Sequence, residues 1–156
     1  MIHPTAITWS VEFNSRALNR NLEGLSHEDS LAQPPHGNCI NWLLGHVLVY
    51  RNMMLDLLGA ERVWETEAAE RYARGSDPIR GEADRPERFE TLREDFDRST
   101  ERLLAALASA DAGAMETPVA NSTVGQRLNF LTLHEAYHVG QIGLMRRIAG
   151  RVGAIA

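Results

Sequence analysis

The stretch TVGQRLNFLTLHEAYHVGQIGLMRRIA, residues 123–149, decides the reading of this chain. It opens with a hydroxyl at Thr123 and an amide three residues on at Gln126, the pattern of a capping box. Gly150 follows as a stop signal. Between these limits Leu131, His134, His138, Gln141 and Met145 recur at helical spacing, so the stretch is expected to be one long helix with this stripe inward. On a helix, residues i and i+4 share a face about 6 Å apart along the axis. His134 and His138 therefore stand where two imidazoles can share one metal ion.

The segment His134-Glu135-Ala136-Tyr137-His138 also fits H-E-x-x-H, the zinc-protease pattern. The rest of the sequence does not follow it. A catalytic zinc usually takes three protein ligands, and no acid occurs after His138. The extended motif fails as well, because Gln141 stands where glycine is needed and Leu144 where histidine is needed. A third ligand must come from upstream.

Three further helical stretches lie upstream. The first runs from about Thr5 to Glu23, with Trp9, Phe13, Ala17, Leu18 and Leu22 as its expected apolar face. The second begins near Asn38 and ends before Gly59. Its stripe is Cys39, Leu43, His46, Tyr50, Met53 and Leu57. A connection from Gly59 to Ala83 follows, long for a compact domain, with a short helix expected around Glu67 to Arg74. The third opens at Asp84-Arg85-Pro86-Glu87, read as a capping box, and carries Phe89, Leu92, Phe96, Leu103 and Leu107. Strand-like alternation, internal repeats and low-complexity tracts are absent. Four amphipathic helices argue for an all-α fold, a four-helix bundle over residues 1–156.

Composition bounds the function. The 156 residues suffice for one domain with a core. A net charge of −5 without a basic stripe gives no support to nucleic acid as a partner. Cys39 is the only cysteine, which excludes an intrachain disulfide. It lies two turns, about 10 Å, before His46, too far to share an ion on a regular helix. No apolar run approaches the ~20 residues that span a bilayer, and no leader pattern opens the chain. No membrane association is expected, and a cytoplasmic location is.

His46 falls on the core stripe of the second helix as His134 and His138 do on the fourth. Buried imidazoles are costly without partners. They can find hydrogen bonds on other helices, or one ion can bind all three. Three neutral ligands leave the ion's charge uncompensated, so it would favour a hydroxide or a thiolate at an open position. Imidazole ligation does not choose the metal. Candidate catalytic residues are Glu135, Gln141 and Tyr50. Glu135 lies about 100° around the helix from His134 and is read as an inter-helix or solvated carboxylate ahead of a general base. Gln141 either faces substrate, supports a ligand or satisfies a neighbouring backbone group. Tyr50 is read as a core aromatic ahead of a catalytic phenol. Neither Glu135 nor Gln141 is expected to be a direct ligand. His3, His27 and His36 are expected at the surface.

The Gly45-His46 pair in the second helix, with His134-x3-His138-x-Gly140-Gln141 and Arg146-Arg147 in the fourth, resembles the DinB-like metalloprotein superfamily. The resemblance implies a four-helix bundle with a long crossover, often dimeric. It implies one divalent ion, zinc or nickel, on histidines that map to His46, His134 and His138. Relatives that use low-molecular-weight thiols imply a metal-dependent transferase acting on a small thiol and an electrophile. The rivals are a metal-dependent hydrolase and a non-catalytic metal-binding stress protein. A homodimer is expected, and the doublets Leu57-Leu58 and Leu103-Leu104 are its expected apolar surface.

Overall fold

The structure, a computed structural model, describes residues 2–154. In chain order it forms α1 (Pro4–Leu22), α2 (His27–Ser30), α3 (Ile40–Leu57), α4 (Thr66–Glu70), a 3-10 turn (Glu82–Asp84), α5 (Phe89–Ser109), α6 (Ala112–Glu116) and α7 (Val124–Ile148). A two-residue antiparallel ladder, Pro118–Val119 with Ser122–Thr123, leads into α7. The fold is all-α, as expected.

Side-chain pairings fix the topology. Asn14 donates to the Thr132 carbonyl and Asn21 to the Val139 carbonyl, so α1 and α7 run parallel. Ser15 meets Thr100 and Asn19 meets Asp97, so α1 and α5 run antiparallel. Asn41 bonds the Glu87 carbonyl and Arg51 bonds Ser99, so α3 and α5 run parallel. His46 faces His138 while Tyr50 faces His134, so α3 and α7 run antiparallel. Two consecutive parallel helices require the chain to return along the bundle, and residues 58–88 do this. The return is fastened to α3 at successive levels. Asn52 binds the backbone of Val63 and Trp64, Trp42 donates to Ser76 Oγ, and the Cys39 thiol donates to the Ile79 carbonyl.

The core is two apolar clusters with a polar layer between them. One holds Leu18, Leu44, Leu48, Phe96 and Ile142. The other holds Ile7, Met54, Leu103, Leu128 and Leu131. Between them lie Asn14, Ser15, Arg51, Ser99, Thr132 and Glu135, all buried.

Several expected details are corrected. Trp9 and Phe13 are 65% and 54% exposed and stack on each other. Ala17, Leu18 and Leu22 are buried as expected, and Ile7, Val11, Asn14 and Asn21 complete the face in place of Trp9 and Phe13. The two asparagines disguised that face, because their amides are satisfied by α7 carbonyls. Met53 is exposed, while α3 is buried on nearly every side through Leu48. The capping box at Thr123–Gln126 forms in both directions. The one read at Asp84 does not. A residue before proline disfavours the helical region; Arg85, before Pro86, has φ 54°, and α5 starts only at Phe89. The Phe89 N–H donates to His27 Nδ1, so His27 is buried and caps α5 rather than lying at the surface. Leu57, Leu58 and Leu104 pack against the second cluster, and Leu103 lies inside it. No helix among the described residues is long and apolar enough to cross a membrane.

Candidate metal centre

The α3–α7 seam brings His46, His134 and His138 together, with one ring nitrogen from each lying within 4.8 Å of the others. Helical spacing supplies two of the three, and the antiparallel pairing of α3 supplies the third. His138 Nε2 stands 3.1 Å from His134 Nε2. Nitrogens sharing one zinc ion at ~2.0–2.1 Å each stand about 3.3 Å apart in tetrahedral geometry, so this pair is already at ligand spacing.

Two of the rings are oriented from behind. His46 Nδ1 lies 2.8 Å from the Tyr72 carbonyl oxygen. A carbonyl only accepts, so the proton of a neutral His46 sits on Nδ1 and Nε2 keeps its lone pair. His138 Nδ1 donates to Gln141 Oε1 at 2.7 Å, and Gln141 Nε2 donates to the Tyr137 hydroxyl. His138 Nε2 therefore also carries a lone pair. This is the support that metal-binding imidazoles usually receive. His134 Nδ1 is buried without a partner among the described residues.

Gly45 explains the first bond. A Cβ at this position would overlap the ring of Tyr72. Glycine lets the crossover lie flat on α3, and that contact carries the Tyr72 carbonyl to His46. The Tyr72 hydroxyl is fixed in turn, donating to Asn41 and accepting from the Glu87 N–H. Burial pushes its pKa up to about 12.

The cluster lies in an aromatic cage. Trp42 stacks on His46 at 4.6 Å between centroids, and Tyr50 lies 4.0 Å from His134 and 4.8 Å from His46. Burial lowers the pKa of all three histidines. For His138 the fall reaches about 4, with the Gln141 hydrogen bond opposing it and the neighbouring imidazoles adding to it. The His46 partner ring adds to the fall at His134, and the Tyr72 carbonyl opposes it at His46. Three neutral imidazoles with converging lone pairs suit a cation, so the donor set fits a divalent ion. Imidazole donors do not select among zinc, nickel, copper and iron.

Glu135 takes no part in this donor set. Its two oxygens accept from Arg51 Nε and Nη2 at 2.8 and 2.9 Å. The remaining Arg51 donors reach Ser15, Ser99, Thr100 and the Phe96 carbonyl, and its guanidinium lies 3.8 Å over the Phe96 ring. Arg51 is 0% exposed. One side chain thus touches α1, α5 and α7 from α3. Of the candidate catalytic residues, Gln141 orients His138, Tyr50 packs against two of the imidazoles, and Glu135 anchors Arg51. Arg51 and Tyr72 are functional neighbours that the sequence pattern did not single out. Arg51 left a signal, being the only charge between Cys39 and Leu55, as Glu135 is the only acid in α7.

No match was found among curated proteins. The sequence profile of the DinB superfamily matches residues 11–142, a span that contains all four long helices in whole or in part and the three histidines. The chain belongs to the DinB superfamily.

Proposed function

We propose that the chain is a metal-dependent transferase that joins a low-molecular-weight thiol to an electrophile. His46, His134 and His138 would hold the ion, zinc or nickel. When bound, the ion supplies the positive charge that favours the deprotonated form of a small thiol. In the transfer, sulfur forms a bond to the electrophilic carbon, the leaving group departs with its electron pair, and the thiol proton passes to solvent.

The observation that carries the choice is the engagement of Glu135. A hydrolase gains from a base beside the attacking water, and Glu135 is the carboxylate next to the histidines in sequence. Both its oxygens are committed to Arg51. A thiol is far more acidic than water, so it needs less help. Gln141 and the Tyr72 carbonyl hold His138 and His46 each in one tautomer, and Trp42 and Tyr50 pack against the cluster.

A homodimer belongs to the same proposal. Trp9 and Phe13 on α1, with Phe130 and Leu133 on the adjacent α7, supply exposed apolar surface that supports association; light scattering reads the mass directly. The central test is cobalt-substituted protein titrated with small thiols. A sulfur-to-metal charge-transfer band is expected, and each His→Ala variant is expected to lose both ion and band. Metal-requiring ester hydrolysis with no thiol response would overturn the proposal in favour of a hydrolase.

A further inference from the structure

A cavity of about 460 Å³ adjoins the histidine cluster on the side of His138 and Gln141. Its deep wall is Trp42, Leu43 and Met145, all buried, and its rim carries Leu144 and Ile148. Residues 34–38 close it from the loop side. None of its lining residues is Lys, Arg, Asp or Glu. The groove between α1 and α5 is larger, about 660 Å³, but glutamates and arginines line it. The two concavities therefore suit different ligands.

His36 and Asn38 lie on the loop side, and the polar groups nearest the cluster are Gln141 and Tyr137. Gln141 has two amide N–H groups and gives one to Tyr137; the Tyr137 hydroxyl accepts that bond and keeps its own proton to donate. Both are hydrogen-bond donors, and both sit beside His138. Trp42 presents its ring to the cavity and stacks on His46. A molecule lying along Trp42 would thus point its polar end at the cluster.

We propose that this cavity binds a neutral, largely apolar molecule carrying a hydrogen-bond-accepting oxygen, of the ester class, with that oxygen toward Gln141. The ligand class stands on the cavity walls. Its role as the electrophilic substrate rests on the transferase reading above. In chelated protein a carboxylate in the same place would lose water and meet no Lys or Arg in the lining. A hydrocarbon would leave the amide donor unpaired.

The test uses the environment-sensitive neutral dye N-phenyl-1-naphthylamine, bound to metal-loaded and to chelated protein. The dye is then displaced with ethyl cinnamate, with cinnamate anion and with propylbenzene. In chelated protein the ester is expected to compete best, with the anion at least about tenfold weaker and the hydrocarbon weaker than the ester. Leu144 is 61% exposed, so Leu144→Arg leaves the core intact. That variant should weaken the ester and strengthen the anion while its metal content stays at the wild-type level. Equal competition by ester and anion in the chelated wild type, or no change in chelated Leu144→Arg, would overturn the proposal. Exclusion of the dye by dimer formation in light scattering would do the same. If charge selectivity holds in protein that takes up no ion, the cavity assignment stands and the metal reading fails. If the ion binds but the chelated protein shows no selectivity, the cavity assignment fails alone.

Discussion

The Arg51–Glu135 pair and the histidine cluster sit side by side on α3 and α7, with Glu135 next to His134 in sequence, yet they solve burial in opposite ways. Arg51 and Glu135 form a bidentate pair, and hydroxyls from α1 and α5 take up the remaining donors. Nothing outside the chain is needed. The three imidazoles have lone pairs turned toward one another and an unpartnered nitrogen at His134. Two neighbouring buried polar groups, one saturated and one short of a cation, mark which of them is structural and which can bind. The pattern separates the halves of the H-E-x-x-H segment: its histidines belong to the second group and its glutamate to the first.

The largest effect should come from breaking the saturated region. Glu135→Ala leaves a guanidinium buried without its counter-charge and should cost about 3–5 kcal/mol in denaturant unfolding. The double variant Arg51→Met, Glu135→Leu should recover most of that loss and still bind metal. A single variant costing under about 1 kcal/mol, or a stable double variant without metal, would erase the distinction.

A middle effect should come from the link between the crossover and the cluster. Gly45→Ala forces the Tyr72 ring away from α3. Overpacking of this kind costs about 1–3 kcal/mol, and losing the bond behind His46 should weaken metal binding by about 10–100-fold. Competition with a chelating dye measures the affinity. Unchanged affinity would mean that the Tyr72 carbonyl does not orient His46.

The smallest effect is a pH dependence confined to the unsaturated region. In chelated protein the folded-state pKa of His138 lies near 4, below the ordinary histidine value of 6.5, because burial disfavours the charged ring. Between these values the unfolded chain binds more protons than the folded one, so stability present above pH 6.5 is lost as the pH falls toward 4. His46 and His134 are shifted in the same direction. Denaturant midpoints at stepped pH should show this slope in the wild type and in the Arg51→Met, Glu135→Leu variant. His138→Gln should flatten it. A slope unchanged by His138→Gln would place the titration elsewhere.

The sequence made the site more legible than its supports. His134 and His138 were readable because helical spacing is local, and His46 because it shares a core stripe. The Thr123 cap was readable for the same reason, whereas the cap expected at Asp84 failed on the conformational restriction imposed by Pro86. The first half of the α1 face differs from expectation, with Trp9 and Phe13 outward, because Asn14 and Asn21 look polar and their acceptors are carbonyls 118 residues away. The Tyr72 carbonyl could not be found by side-chain reasoning, since any residue supplies a carbonyl. Gly45 was its only trace. The Arg51–Glu135 pair was present as two isolated charges, and joining them required knowing that α3 and α7 are neighbours.

The parallel pairing of α1 with α7 has a consequence for how the molecule assembles. Its contacts close loops of 118 residues, whereas α3 and the crossover meet across 12 to 40. Closing a longer loop costs more chain entropy before any contact rewards it. Docking of α7 should therefore be the late event of folding, and His134 and His138 arrive with it. His46, held early by its backbone acceptor, waits for them. Metal capture would then report completion of the fold rather than nucleate it, and the folding rate should be insensitive to metal while the unfolding rate slows when metal is present.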